Sequence, residues 1–247
     1  VLFAASTLAG AVNAVAGGGS LITFPLLVWL GREPILANAT NTVSLSPGSV
    51  AALHGFRHEL GGLRDWIVWG TLPSLAGGVV GAVLLLWTPS KVFAGLVPFL
   101  ILFATATFAL SGPLNALARG RSSDAGERPP SVGVMVYQFF VSVYGGYFGA
   151  GIGIMMLAGL ALAGMNAIHR AIALRNYYAI LINGIAALYF IWLGAVAWGD
   201  AAVLTAGQVA GSLVSARLAR TLPASTVRAF VVVVGVAMAV GLLARGR

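Results

Sequence analysis

Polar and charged residues in this chain are confined to short gaps between long apolar runs. Eight runs stand out, at residues 1–30, 35–55, 66–87 and 92–111, then at 132–163, 172–193, 201–216 and 224–244. Most approach the roughly 20 residues that an α-helix needs to cross a hydrocarbon core. The first run of each set is longer, and it is interrupted by AGGGS (16–20) or GAGIG (149–153). A glycine inside a helix costs about 1 kcal/mol relative to alanine. Three in succession, with Pro25 close behind, predict a break and not a continuous rod.

The two sets are copies of one unit. Aligning GAVNAVAGGGSL (10–21) with GGYFGAGIGIMM (145–156) sets Gly17 opposite Gly151 and Gly19 opposite Gly153, a shift of 134. The shift holds within one residue downstream, pairing Asn41 with Asn176, Asp65 with Asp200 and Pro89 with Pro223. A near-constant shift along a whole chain signals an internal repeat. Residues 1–111 form the first transmembrane repeat and 132–247 the second. Between them, 112–131 carry Arg119, Arg121, Asp124, Glu127, Arg128 and a Pro129-Pro130 pair, the pattern of a hydrophilic linker. The expected fold is an all-α integral membrane protein of two repeats, each with about four apolar segments and a broken or re-entrant first one.

Composition agrees. Hydrophobic residues make up 59% of the chain and charged ones 8%, with mean hydropathy +0.96, where a soluble domain carries roughly 25% charged residues. The absence of cysteine excludes a disulfide framework and a thiolate metal site. The net charge of +8 could suggest a nucleic-acid partner in a soluble protein. Here the basic residues flank apolar runs, where they set orientation in a bilayer, so no nucleic acid is expected. The chain opens at Val1 without a methionine, so further residues are expected before it. The first 30 residues lack a basic n-region, and a similar segment recurs in mid-chain, so they belong to the mature fold and not to a signal peptide.

Charge also chooses between topologies. With the linker cytoplasmic and every run crossing once, the basic residues divide evenly between the two sides. If each broken run dips in and returns, or crosses twice, the cytoplasmic side holds Arg57, Arg64, Arg119, Arg121, Arg128, Arg170, Arg175, Arg217, Arg220 and Arg228. The other side keeps Arg32, Lys91, Arg245 and Arg247. That bias is the one expected of a cytoplasmic face, and it makes the repeats inverted, as in many secondary transporters.

A helix broken inside a membrane leaves backbone groups unpaired, which is tolerated where they line a cavity or are covered by protein. An exposed helix N-terminus there suits an anion. The glycines Gly17, Gly18, Gly19, Gly149, Gly151 and Gly153 would let a ligand approach the backbone. We expect the two breaks to face each other across one polar cavity near mid-membrane. Asn13, Ser20, Asn38, Thr40, Asn41 and Thr42 cluster near or after the first break, as do Arg175, Asn176 and Asn183 after the second, and could donate to an oxyanion. Against this, small residues also serve helix packing, as the pair Gly77 and Gly81 does. The amides and hydroxyls could bond between helices or cap them. Arg175 is either an intramembrane functional charge or a side chain snorkelling from its helix end. His54 and Gln208 are weaker candidates, and His58 and His169 read as loop residues. The six carboxylates, Glu33, Glu59, Asp65, Asp124, Glu127 and Asp200, all fall in loops or at helix ends. No catalytic constellation, metal site or cofactor motif is expected.

The runs NAVAGGGSLITFPLL, ANATNT and YGGYFGAGIGIMMLA, with GQVAGSLVSARLA (207–219), resemble the sulfite exporter TauE/SafE family, also called the 4-toluene sulfonate uptake permease family. The resemblance covers nearly the whole chain. It implies a secondary transporter of the cell inner membrane, moving sulfite, sulfonates or related sulfur-containing anions. The basic residue of Arg175-Asn176, where the first repeat has Thr40-Asn41, is similar to the family's usual pattern. The expected partners are a small anionic solute and the lipid bilayer, with room for a homo-oligomer. Export is the leading reading. An uptake permease for organosulfonates stands beside it, and an intramembrane enzyme or anchoring subunit is the reading from another class.

Overall fold

A computed structural model describes residues 1–16, 18–110, 130–165, 167–221 and 224–245. Gly17 and nearly all of the expected linker lie outside the described residues. Among the described residues ten α-helices follow one another: α1 (Leu2–Ala16), α2 (Ser20–Trp29), α3 (Pro34–Phe56), α4 (Arg64–Trp87), α5 (Ser90–Ala109), α6 (Val132–Tyr147), α7 (Ile152–Leu162), α8 (Ile168–Trp192), α9 (Trp198–Thr221) and α10 (Ala224–Arg245). No strand occurs among the described residues. By length and composition α4, α5 and α8 are apolar enough to cross a membrane. α3 is as long as these but carries Asn38, Thr40, Asn41, Thr42, Ser44 and Ser49, all of them buried. It starts where Glu33 is extended and Pro34 takes the first helical turn, a position whose N–H has no partner to lose.

Helix contacts pair elements from different parts of the chain. α1 packs along α9, α6 along α4, α3 along both α8 and α9, α8 along α4, and α5 along α10. Glycine permits the closest of these approaches. A Cβ at Gly211 would strike the Thr7 carbonyl of α1, and one at Gly81 would strike the Val143 carbonyl of α6. Such contacts also fix directions. Gly207 meets Phe3 and Ser6 while Gly211 meets Thr7 and Ala11, so α1 and α9 run the same way. Gly77 meets Phe139 and Ser142 while Gly81 meets Val143 and Tyr147, so α4 and α6 do too.

The bundle has two ends. At the first, Arg32 in the turn after α2 pairs with Asp200 at the start of α9, 2.6 Å apart. The Asp200 hydrogen bond is the main reason the Arg32 pKa is raised. Because α1 runs parallel to α9 and α2 leads back to Arg32, the chain turns back between α1 and α2. α3 leaves this Arg32 face, and at its far end Phe56 stacks on His169 at the start of α8, with ring centroids 6.4 Å apart. His169, expected in a loop, opens α8 and forms part of that contact. α6 points toward the Arg32 face with α4, where Thr88 and the Tyr147 hydroxyl lie 3.3 Å apart. α7 then returns the chain to the Arg57 face, from which α8 starts.

Large apolar side chains cover the outside of the bundle, including Leu72, Phe99, Phe140, Leu188 and Leu213. A surface so apolar suits lipid and not water. Trp29, Trp87, Trp192 and Trp198 are exposed at helix ends near the Arg32 face, where indoles sit well at a membrane interface.

Candidate functional site

α1 stops at Ala16 and α2 starts at Ser20; α6 stops at Tyr147 and α7 starts at Ile152. Gly149 and Gly151 have φ of 76° and 80°, a region that costs a residue with a Cβ about 1–2 kcal/mol. Neither Gly19, before α2, nor Gly151, before α7, supplies a side-chain cap, so first-turn N–H groups are left without one. Ser20 is buried in the first turn of α2 and Gly153 in that of α7.

Both breaks sit on one stretch of α5. A Cβ on Gly18 would enter the ring of Phe108, and one on Gly151 would lie 3.3 Å from the Ala104 Cβ, one turn away. Phe24 of α2 and Phe148 in the second break meet edge to face, centroids 5.1 Å apart. Tyr144 closes the second break by donating its hydroxyl to the Ala150 carbonyl at 2.9 Å. Gly18 and Gly151 are therefore packed against apolar side chains of α5, whereas Gly19 lies against Ala9 and Asn13 of α1 and Gly149 against the Gly145 carbonyl. The described cavity, lined by Trp66, Tyr137, Gln138, Met156, Gly159 and Tyr178, includes none of the predicted residues.

The polar residues gather on the other side, from α3 and α8. Arg175 is 1% exposed, two turns inside α8, so it does not snorkel. Nη1 and Nη2 donate to the Asn13 carbonyl at 3.0 and 2.7 Å, and Nη2 also to the Ala14 carbonyl at 3.2 Å. These are carbonyls of the last turn of α1, orphaned by the break. Across the bundle Asn38 does the matching job: its Nδ2 donates 3.0 Å to the carbonyl of Tyr147, the last residue of α6. Asn13 and Tyr147 are 134 positions apart. Each interrupted helix is thus capped by a side chain from the other half of the chain.

The remaining candidates divide into committed and free groups. Asn41 Oδ1 accepts from the Thr23 hydroxyl at 2.5 Å, and Thr40 Oγ1 accepts from the Ala197 N–H at 3.0 Å. Asn13 is half-buried and contributes its carbonyl. Arg175 Nε, Asn176 Nδ2 and Asn38 Oδ1 are buried without a partner. Among the described residues the ion pair is Arg32 with Asp200, so Arg175 has carbonyls around it but no carboxylate. His54 is exposed in the last turn of α3, its ring 3.0 Å from the Arg57 guanidinium three residues on, and so is not inside the bundle. Gln208 is buried and donates 3.4 Å to Ser44 Oγ between α9 and α3. The sequence reading missed that the acceptors nearest Arg175 are main-chain carbonyls. The break itself was the available signal, because a helix that ends inside a bundle leaves carbonyls to be capped.

Comparison with known proteins places this arrangement. The profile of the family described as Sulfite exporter TauE/SafE matches residues 2–242. A probable membrane transporter protein (ORF9) of Sinorhizobium is 30% identical over 245 residues, covering 98% of this chain and 91% of its own. A probable membrane transporter protein of Haemophilus influenzae is likewise 30% identical over 245 residues, covering 96% and 91%. YfcA of Escherichia coli, also a probable membrane transporter protein, is 28% identical over 249 residues, covering 98% and 88%. No solved structure matches the chain.

Proposed function

The chain belongs to the sulfite exporter TauE/SafE family of multi-pass membrane transporters, and from that premise we propose that it carries a small sulfur-containing oxyanion, sulfite or a sulfonate, out of the cell. One observation carries the reading. Arg175 Nε and Asn176 Nδ2, on consecutive residues of α8, are buried donors without partners, and among the described residues the hydrogen bonds of Arg175 go to carbonyls. A helix C-terminus offers roughly half an elementary negative charge, which leaves about half of the guanidinium charge uncompensated. Each buried donor without an acceptor costs about 1–3 kcal/mol. An oxyanion between them removes both deficits, and a neutral or cationic solute does not. The starts of α2 and α7, drawn together on α5, add the partial positive charge of two helix N-termini, although Leu21, Ile22, Ile152 and Ile154 N–H already donate to glycine carbonyls.

The two halves act as inverted copies in this reading. Support comes from the matched contacts of α1 with α9 and α6 with α4, and from the two turn-backs. The apolar packing of Phe108 and Phe148 at the breaks corresponds to a closed state that must part for the solute. The test is uptake and release of labelled sulfite, sulfate, thiosulfate and small sulfonates in proteoliposomes. Saturable flux of sulfite or a sulfonate, with mutual competition, is expected. Movement of none of these, by protein that is monodisperse and inserted, removes the sulfur-oxyanion assignment.

A further inference from the structure

The seam between α3 and α8 holds buried polar groups that capping does not use. The two helices pack along each other in opposite directions, with Phe56 stacked on His169 at one end. Seven residues are nearly two helical turns, so positions seven apart stay on one stripe with a drift of only about 20°. Seven back from Phe56 is Ser49 and seven on from His169 is Asn176, both about 10 Å from the stacked rings. One further step reaches Thr42 and Asn183, roughly 21 Å from the rings. Two rungs result, Ser49 with Asn176 and Thr42 with Asn183, each made of one hydroxyl and one carboxamide. All four residues are buried.

Ordinary interhelical bonding does not account for them. Asn176 Nδ2 would donate to Ser49 Oγ if the first rung were a structural hydrogen bond, yet both atoms lack partners, as does Asn183 Oδ1 on the second. Buried polar groups that the register sets at one level and that bond nothing are open to a third party. The helix starts at Pro34 and Ile168 are 134 apart, and in that register, one residue from the pairing of Asn41 with Asn176 read from the sequence, Thr42 falls on Asn176 and Ser49 on Asn183, so the repeat exchanges the two rungs. We propose that the solute passes along the α3–α8 seam and rests at these rungs, two equivalent stations on either side of the pseudo-twofold axis. This rests on the transport reading above and adds Ser49, Thr42 and Asn183 to the residues that touch the solute. Each station presents a hydroxyl donor and a carboxamide that turns either atom inward, which fits an oxyanion shedding its water. The Ser49 station lies next to Arg175, toward the Arg57 face. The Asn183 station lies toward the Arg32 face.

A chain without cysteine makes the test direct. Ser49→Cys and Asn183→Cys are each treated in oriented proteoliposomes with a membrane-impermeant anionic methanethiosulfonate, from either side. Thr105→Cys is the control, since its hydroxyl is also buried and unpartnered but lies at Gly235 of α10, away from the seam. Ser49→Cys should label from the Arg57 face and Asn183→Cys from the Arg32 face. The control should react at least about tenfold more slowly, since a packed site reacts only through local opening. Sulfite should slow both seam reactions. Seam cysteines as inert as the control, or both open to one side only, in protein that still moves sulfite, overturn the proposal and leave the transport reading standing. Two-sided labelling that no anion of the panel slows keeps the passage and removes the sulfur-oxyanion assignment.

Discussion

Arg175, which caps α1 and in the proposed reading also meets the solute, has two duties that a substitution can separate. Its terminal nitrogens cap α1, and its charge and Nε remain for a ligand. Hydrogen bonds to a charged group contribute about 1.5–3 kcal/mol each. Arg175→Gln should therefore lower the melting temperature in detergent and reduce anion flux by more than about tenfold. Arg175→Lys keeps the charge and loses the fork, so it should retain part of the flux at reduced stability. Lys91→Gln, at an exposed site on α5, should behave as the parent. Equal flux in Arg175→Gln and Lys91→Gln would leave Arg175 as a cap alone. At Gly151 the backbone decides: with φ of 80°, Gly151→Ala should cost about 1–2 kcal/mol before any effect on a solute, measured as a shift in thermal unfolding. Arg175 stood out in the sequence because charge is rare in so apolar a chain. Its acceptors did not, because main-chain carbonyls leave no mark on residue identity.

Elements were legible where lipid dictates them. The apolar runs coincide with helices, and the glycine-rich interruptions fall where α1 and α6 stop, since a long apolar run has few other ways to satisfy its backbone in a bilayer. α9 extends on both sides of the run at 201–216, from Trp198 to Thr221. Hydropathy ends with the apolar stretch, whereas backbone hydrogen bonding continues past it. Which helix meets which was not legible from hydropathy, and small residues set it. Gly81 of α4 abuts the α6 backbone, while Gly95 of α5 has nothing within 4 Å of its Cβ direction. Gly81→Leu should thus abolish recovery of folded protein, with overpacking well beyond the usual 1–3 kcal/mol. Gly95→Leu should be neutral or slightly stabilising, since it removes a helix glycine worth about 1 kcal/mol. Yield of monodisperse protein and its melting temperature distinguish the two. Similar loss at both glycines would mean that helix propensity, and not the α4–α6 contact, sets the cost.

Across the whole molecule the proposed inverted arrangement makes a sided prediction. Single cysteines in the 57–63 and 193–197 turns should label from opposite faces of the membrane, and labelling from one face would remove the inversion. Charge counting favoured this layout because every basic residue is countable from sequence, whereas the solute's direction is not written in charge. A driving force can nevertheless be argued. Among the described residues the carboxylates Glu33, Glu59, Asp65 and Asp200 lie in turns or first helical turns and His54 is exposed, so none of these points inward to carry a coupled proton, while Asp124 and Glu127 fall outside the described residues. A unit charge crossing the potential is worth about 2.3 kcal/mol per 100 mV, and with the interior negative that term drives an anion outward. Efflux from proteoliposomes should accelerate under a potassium–valinomycin potential of that sign. It should ignore a pH gradient at fixed substrate ionisation. Flux that follows a proton or sodium gradient and ignores the potential would put uptake ahead of export.

The pairing of α1 with α9 also sets a timetable for biogenesis. α1 leaves the ribosome before the other described helices, but the helix that buries it is made about 200 residues later, which at 5–20 residues per second is roughly 10–40 s of waiting. α6, by contrast, finds α4 already made. During that interval the broken first helix, with carbonyls at Asn13 and Ala14 that Arg175 has yet to cap, must shelter in the insertion machinery or against lipid headgroups. Nascent chains halted before Trp198 should therefore hold α1 in a state that a lipid-phase crosslinker reaches and that the finished protein conceals. A chain stopped after the first half would be an incomplete bundle and not a small transporter.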